Sequence, residues 1–209
     1  MTESKGTSGE SGAGGRRRAA VTRETRETAV EIRLDLDGEG RVEATTGIPF
    51  FDHMLAQLGT HAGFDLEVRT RGDLEVDGHH TVEDTGLALG QALAEALGDR
   101  AGIRRFGFAA APMDEALVEV ALDLSGRPFV VHEVEVAPVM LGTYDPGLTE
   151  DFVRALAQTA GLTVHVRMRS GRSPHHVLES EFKALARALR DACAPSGRRG
   201  VPSTKGSLG

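Results

Sequence analysis

Residues 79–84, HHTVED, return 96 positions later as residues 175–180, HHVLES. Two further pairs of segments match at similar spacings: 30–38 with 118–126, and 62–69 with 160–167. Self-similarity at a nearly constant spacing indicates an internal duplication. We therefore predict an α+β fold, an internal duplication of two similar strand-rich units, each with helices packed on one face of a sheet.

The hydrophobic pattern predicts the elements of each unit. Apolar and charged residues alternate over 30–37, which is typical of a strand with one buried face. Gly38-Glu39-Gly40 predicts a tight turn, and Val42 begins a return strand. The remaining segments are predicted as a strand over 64–68 and as helices over about 51–59 and 81–97, with a last helix carrying Leu178, Phe182, Leu185 and Leu189.

The composition divides the chain into three parts. Residues 1–18 are rich in Gly, Ser and charge, so we expect a disordered N-terminal tail. Residues 19–110 form the first repeat half, and residues 111–209 form the second half with a C-terminal tail. The two halves together are expected to make one compact catalytic unit.

Charge and hydropathy narrow the class of protein. A net charge of −7 argues against a nucleic-acid partner, which would need a basic surface. No apolar stretch reaches the roughly 18 residues of a membrane span. The single cysteine, Cys193, cannot form an intrachain disulfide and fits a reducing compartment. We therefore expect a cytoplasmic protein without nucleic-acid or membrane partners.

The repeated motif predicts metal ligands. His79 and Glu83 are four residues apart and share one helix face, whereas His80 is rotated by about 100° and can address a second ion. Shifting the repeat by 98 positions places His53 on Asp151. The residues alone thus predict two ligand groups: His53, His79, His80, Glu83, and Asp151, His175, His176, Glu179. Such nitrogen and oxygen donors suit Mn, Fe, Co, Ni or Zn.

A surface role is the competing interpretation for any single His-His pair. The second copy of the motif, with its downstream glutamate, favours metal binding instead. His61, His132 and His165 have no matching histidine in the other half, and we interpret them as structural or solvent-facing.

The order of short motifs along the chain resembles the imidazoleglycerol-phosphate dehydratase family. The resemblance extends from about Arg23 to Gly206. Besides the two histidine motifs, it rests on RETRET at 23–28, GIPFFDHML at 47–55, RFG at 105–107, PMDEA at 112–116, DLSGRP at 123–128 and PSTKG at 202–206. Each motif is weak alone, but this order within one chain is highly specific.

The resemblance implies a lyase of L-histidine biosynthesis. Its reaction dehydrates D-erythro-imidazole glycerol phosphate to imidazole acetol phosphate, with two Mn²⁺ ions per active site stabilising an imidazolate intermediate. It also implies self-association into a 24-mer with metal sites between subunits.

The resemblance also implies roles for individual residues. One ion would be bound by His53, His79, Glu83 and His175, and the other by His80, Asp151, His176 and Glu179. The implied catalytic residues are Glu27, Glu83 and Glu179. Glu27 is the candidate for proton transfer, with substrate orientation as its alternative role. The implied substrate-binding residues are Glu27, His53, Gln57, His79, Arg105, Arg127, His175, Lys183, Ser203 and Lys205.

Two positions depart from the family pattern. Relatives often have His where this chain has Asp151, and Asp where it has Gly78.

Two other functions compete with the dehydratase interpretation. A metal-dependent phosphatase would also use two ions and arginines. A non-catalytic metal-storage or metal-dependent assembly protein would use the histidine clusters as structural metal sites.

Overall fold

The computed structural model describes residues 16–198, 200–204 and 208, and within them it contains eight strands and four helices. In chain order these are β1 (Arg18–Glu24), β2 (Thr28–Asp35), β3 (Val42–Thr45), α1 (Pro49–Ala62), β4 (Asp65–Gly72), α2 (His79–Leu97), β5 (Phe106–Met113), β6 (Ala116–Asp123), β7 (Phe129–Glu133), α3 (Leu148–Ala160), β8 (Thr163–Ser170) and α4 (Pro174–Cys193).

Two sheets have the same topology. The first has the strand order β1-β2-β4-β3, and the second has the order β5-β6-β8-β7. In each sheet the first two pairings are antiparallel and the last is parallel. Since order, direction and helix positions repeat, the predicted duplication and the α+β class are confirmed.

The four helices lie between the two sheets. Helices α1 and α2 pack on the first sheet, and α3 and α4 pack on the second. The inward face of each sheet is apolar and buried, as at Val30 and Ile32 in β2 and at Val118 and Val120 in β6. Among the described residues, no helix is both long and apolar enough to cross a membrane.

Helices of different units contact each other in the middle of the molecule. Helix α1 packs against α4, and α2 packs against α3. The second contact is close, since a Cβ atom at Gly90 would lie 2.4 Å from the Leu156 carbonyl oxygen and one at Gly86 would lie 2.9 Å from the Phe152 carbonyl oxygen. Glycine is therefore required at both positions. Because these residues have no side chain, α2 and α3 can pack closely and their first turns lie next to each other.

The predicted hairpin at Val42 is wrong. Strand β3 pairs in parallel with β4 and does not contact β2. The Asp65 carboxylate accepts hydrogen bonds from the backbone amides of Glu39, at 2.8 Å, and Arg41, at 3.0 Å. The Glu39 amide lowers the pKa of Asp65 most, followed by the Arg41 guanidinium and then the Arg41 amide. These hydrogen bonds hold the loop after β2 against the start of β4. The next strand, β3, therefore pairs with β4 and not with β2.

The structure also places two predicted boundaries differently. Strand β1 begins at Arg18, and Arg17 forms an ion pair of 2.6 Å with Asp37, so ordered structure begins inside the predicted tail. Residues 1–15 lie outside the described residues. The boundary drawn between residues 110 and 111 falls within β5, which pairs with β6 throughout. The second unit therefore includes Phe106.

A buried ion pair connects β7 to α4. His132 Nε2 lies 2.9 Å from Glu181 Oε1, and the two side chains are 5% and 1% exposed. His132 Nδ1 lies 3.8 Å from Glu150 on α3. Burial opposes the charged imidazolium, but Glu181 and Glu150 outweigh this effect and raise the pKa of His132. His132, which has no counterpart in the first half, is thus a structural residue.

We expect His132→Ala to lower the free energy of unfolding by about 3–5 kcal/mol, because it leaves the Glu181 carboxylate buried without its partner. The pair's contribution should be complete below pH about 6.5, the pKa of an unfolded histidine, and lost as the pH rises through the raised folded pKa. Urea unfolding at low and high pH measures the difference.

The double variant His132→Leu/Glu181→Leu is the control, since it removes both charges and should recover most of the stability. An equal loss for His132→Ala at both pH values would contradict the role of the charged pair.

Candidate metal centre

Three side chains converge between α1 and α4. His175 and Glu179 are one turn apart on α4, and the packing of α1 on α4 brings His53 to them. Glu179 Oε2 lies 3.3 Å from His53 Nε2 and 3.2 Å from His175 Nε2. One ligand atom from each residue lies within 4.8 Å of the others, and no other group of three in the described part of the chain meets this criterion. We call these residues the first cluster.

The carboxylate of the first cluster is buried and ionised. The Glu179 side chain is 8% exposed, and its second oxygen accepts a hydrogen bond of 2.7 Å from Lys183 Nζ. Burial alone would raise the pKa of Glu179, but the hydrogen bonds from Lys183 and His53 lower it. An anionic oxygen facing two imidazole nitrogens is a donor set that suits a divalent metal ion of borderline softness.

A second cluster occupies the matching position between α2 and α3. It consists of His79, Glu83 and Asp151, which correspond in the repeat to His175, Glu179 and His53. His79 Nε2 lies 3.6 Å from Glu83 Oε2, and His79 Nδ1 lies 3.4 Å from Asp151 Oδ2. All three side chains are 40–47% exposed.

Within one chain, the predicted ligands come together from both halves. The repeat alone grouped residues of the same half, but α1 packs on α4 and α3 packs on α2, so each cluster takes residues from both halves. His53 lies close to His175, and both belong to one of the ligand sets that the resemblance implies. Within one chain Glu179 lies with His53, and Asp151 lies with His79. The ligand sets implied by the resemblance lie between subunits and stay a prediction.

His80 and His176 belong to neither cluster of their own chain. His80 Nδ1 lies 3.1 Å from Asp73, and His176 Nδ1 lies 2.8 Å from Glu115. These hydrogen bonds raise the pKa of both histidines. The backbone amide of Ser173 and the His176 ring lower the pKa of Glu115 to about 2.

The two acids Asp73 and Glu115 are functional candidates that sequence reasoning missed. Glu115 stands in the family motif at 112–116 and Asp73 lies seven residues before His80, but neither spacing indicates a contact with a histidine. Each fixes the orientation of one imidazole ring, as carboxylates commonly do for metal-binding histidines.

Glu27 lies near the start of α2. It occupies the turn between β1 and β2, is about half exposed, and its carboxylate lies 3.9 Å from His80 Nε2. Arg23 holds this region to α2 through an ion pair of 3.0 Å with Asp84, the last residue of the first histidine motif. The RETRET segment therefore faces the first turn of α2, as its predicted role requires.

The other predicted substrate-binding residues separate into two places. Gln57 and Lys183 lie beside the first cluster, where Gln57 Oε1 is 3.0 Å from His61 Nε2. Arg105 lies at the opposite end of the second sheet, where it pairs with Asp123 at 2.6 Å and donates to the Pro202 carbonyl oxygen at 2.8 Å.

The distance between these two places follows from the strand register. Asp123 pairs with Thr163, the first residue of β8, whereas the first cluster follows its last residue, Ser170. Eight residues of strand span roughly 23 Å. Arg127 is exposed at the same remote end, and Ser203 directly follows Pro202. Lys205 lies outside the described residues.

The chain is similar to known proteins over most of its length. A family model described as Imidazoleglycerol-phosphate dehydratase matches residues 46–189. The imidazoleglycerol-phosphate dehydratase of Acidothermus cellulolyticus is 58% identical over 192 residues, which cover 92% of this chain and 93% of the relative.

Two crystal structures have a similar fold. The IGPD of Pyrococcus furiosus is 37% identical with a TM-score of 0.78, and the match covers 90% of this chain and 100% of the other. The imidazoleglycerol-phosphate dehydratase of Staphylococcus aureus is 34% identical with a TM-score of 0.78, and the match covers 86% and 99%.

We expect Glu179→Gln to reduce the bound divalent metal by about one ion per chain, because an amide is a much poorer ligand than a carboxylate in this cluster. Elemental analysis after dialysis measures the loss. Glu95→Gln, an exposed substitution near the far end of α2, is the matched control. Full metal occupancy in Glu179→Gln would refute the assignment of the first cluster.

Proposed function

Because this chain belongs to the imidazoleglycerol-phosphate dehydratase family, which are hydro-lyases of histidine biosynthesis, we propose that it dehydrates D-erythro-imidazole glycerol phosphate to imidazole acetol phosphate with two Mn²⁺ ions per active site. The observation that carries the metal part of this proposal is the convergence of His53, His175 and Glu179 on a common centre.

The donor sets fit divalent metal ions. His53, His79, Glu83 and His175 would hold one ion, and His80, Asp151, His176 and Glu179 the other, with each set drawn from neighbouring copies of the chain. When bound, the ions supply Lewis acidity that stabilises the substrate ring as an imidazolate. Glu83 and Glu179 contribute to catalysis as carboxylate ligands in this scheme.

The reaction also requires a proton to be moved. The proton that is lost sits on a carbinol carbon, and the leaving hydroxyl is on the carbon beside the ring, so a general base and a general acid are needed. Glu27 is accessible, lies near the histidines at the start of α2, and can exchange protons with solvent. We propose that it transfers this proton.

Fixed cations would bind the phosphate group. Arg105, Arg127 and Lys205 are proposed for this role, with Ser203 as a hydroxyl donor, because guanidinium groups bind phosphate oxygens in pairs. Asp123 holds the Arg105 guanidinium in one orientation. Gln57 and Lys183 are proposed to contact the substrate beside the first cluster.

The remoteness of these arginines supports an active site shared between copies of the chain. Ring and phosphate of one small substrate cannot span roughly 23 Å, so we propose that a neighbouring copy supplies the phosphate-binding residues. His80 and His176, which join no cluster in their own chain, are proposed to ligate the clusters of a neighbour.

The outer face of the second sheet supports self-association. Phe106, Phe108 and Phe129 are about 60% exposed there, and large exposed apolar patches mark interaction surfaces. We propose assembly into the 24-mer of the family. The proposed compartment is the cytoplasm, where the single buried thiol of Cys193 would stay reduced.

Metal-stripped protein should be inactive toward imidazole glycerol phosphate and should regain dehydratase activity on addition of Mn²⁺. Activity that persists after complete stripping would contradict the metal requirement. Release of inorganic phosphate in place of dehydration would favour a phosphatase. Dissociation of the assembly by a chelator, with no turnover under any metal condition, would favour a metal-dependent assembly protein.

We expect Arg127→Ala to raise the KM for substrate at least about tenfold, because it removes a charge-assisted hydrogen bond to phosphate worth more than about 1.4 kcal/mol. Steady-state kinetics measure the change. Arg33→Ala, which removes an exposed guanidinium from the first sheet, should leave the KM unchanged. An unaltered KM in Arg127→Ala would show that Arg127 does not bind the phosphate.

A further inference from the structure

Arg100 is a buried cation in the segment between α2 and β5. It is 9% exposed, and its backbone φ of 60° lies in the left-handed region, which a residue with a side chain adopts only when its surroundings hold it there. Its guanidinium donates hydrogen bonds to the carbonyl oxygens of Ala160 at 2.8 Å, Leu124 at 3.1 Å and Gly161 at 3.4 Å. A charged group is costly to bury unless it is hydrogen-bonded, so these three carbonyls are what allow Arg100 to be buried.

The three carbonyls belong to two backbone segments that meet at one end of the second sheet. Ala160 and Gly161 end helix α3, where the helix dipole favours a cation, and Leu124 follows β6. The Gly126 amide donates to the Gly161 carbonyl oxygen at 2.8 Å. The segments are so close that a Cβ atom at Gly161 would lie 3.0 Å from the Gly126 carbonyl oxygen. Arg100 therefore holds the loop after β6 against the end of α3.

This loop, residues 124–127, is connected to both arginines that are proposed to bind the phosphate. Asp123, directly before it, accepts hydrogen bonds from Arg105 Nε at 2.6 Å and from Arg105 Nη2 at 2.9 Å. The first amide of the loop donates to the Arg105 carbonyl oxygen at 3.1 Å. Arg127 is the last residue of the loop and is exposed. A shift of the loop would therefore move both guanidinium groups.

The corresponding loop in the first half is held by a different kind of group. There Asp65 accepts two backbone amides of the loop that follows β2, at 2.8 and 3.0 Å. The residue that matches Asp65 98 positions later is Thr163. Its hydroxyl donates to the Arg127 carbonyl oxygen at 3.1 Å, and Ser125 Oγ accepts the Arg127 amide at 3.1 Å. Two hydroxyl groups and the Arg100 cation thus hold the second loop, and no carboxylate among them competes with an anionic ligand for Arg127.

We propose that Arg100 is a positioning residue for phosphate binding. It is too deeply buried to contact the substrate, and it acts through the backbone of residues 123–127, which fixes where the Arg105 and Arg127 guanidinium groups lie. A displacement of about 1 Å caused by a distant mutation can cost an enzyme roughly 100-fold in rate, so a small shift of this loop is sufficient to weaken binding. The inference rests on the proposed function, since it requires that these two arginines bind the phosphate of the substrate.

Steady-state kinetics of the assembled, Mn²⁺-loaded full chain test the inference. Arg100→Met keeps an unbranched side chain but removes the donors that join the loop to α3. We expect the KM for substrate and the inhibition constant of inorganic phosphate to rise at least about tenfold, because the phosphate-binding arginines are displaced. The kcat and the inhibition constant of imidazole, which has no phosphate group, should change by less than about twofold.

Ile32→Ala is the matched control, because it truncates a buried side chain in the first sheet and does not touch residues 123–127. It should lower stability and leave both inhibition constants unchanged. Urea unfolding and size-exclusion chromatography compare the stability and assembly of the variants. If Arg100→Met does not assemble, Arg100→Gln replaces it. Its neutral amide has fewer donors and should raise the KM at least about threefold.

A double variant tests whether Arg100 acts through the phosphate-binding arginines. Residues that act on the same contact have non-additive effects. In the Arg127→Ala background, Arg100→Met should therefore raise the KM by less than about threefold, although it raises the KM at least about tenfold in the wild-type background.

An unchanged KM in the assembled Arg100 variant, equal increases of the phosphate and imidazole constants, or fully additive effects in the double variant would each overturn the inference. Failure of the proposed function looks different. An unaltered KM in Arg127→Ala contradicts the phosphate-binding role of Arg127, whereas a raised KM there with no effect of Arg100→Met contradicts only the role of Arg100. Absence of turnover under any metal condition would contradict the proposed reaction, and isothermal titration calorimetry with inorganic phosphate would still test Arg100.

Discussion

The contact between helices of different units is the constraint on which the candidate site depends. Helix α1 packs on α4, and α3 packs on α2, so neither unit can assemble a ligand cluster from its own helices. Gly86 and Gly90 permit the second of these contacts because a side chain at either position would overlap the α3 backbone. The same helices bury the apolar faces of both sheets. The helix packing that completes the core therefore also brings the candidate ligands together.

The duplicated units have the same topology but differ at their outer surfaces. Arg33 and Arg69 lie on the solvent face of the first sheet, where both approach Glu67. The corresponding face of the second sheet presents Phe106 and Phe108. Strand β5 begins directly after Arg105, so this apolar face lies next to the proposed phosphate-binding residues. A neighbouring copy that covers the face would bring those residues close to another chain, which connects assembly with completion of the site.

Sequence reasoning predicted what depends on local spacing. The helix predicted over about 81–97, the last helix and the alternating strand over 30–37 follow from periodicities of 3.6 and 2 residues, and the duplication follows from matching segments at a nearly constant spacing. The structure confirms them, with α2 beginning two residues earlier at His79. The partners of Glu83 and Glu179 could not be predicted, because spacing along a chain does not specify which helices will pack. The same limit applies to β3, whose parallel partner is selected by Asp65 at a distance of more than twenty residues.

Electrostatics explain why Glu179 is buried and Glu83 is exposed. A carboxylate can be buried at modest cost only when a cation accompanies it. Lys183 accompanies Glu179, so this carboxylate can be buried and remains ionised, while His53 and His175 stay 44% and 45% exposed. The second cluster has Leu87 at the position that matches Lys183 and a second acid in Asp151, so burying it would force two like charges together in a medium of low dielectric constant. Water instead solvates this pair. The acid at position 151, where the other half has His53, thus changes the donor chemistry of the second cluster, and the cation beside the glutamate determines which glutamate is buried.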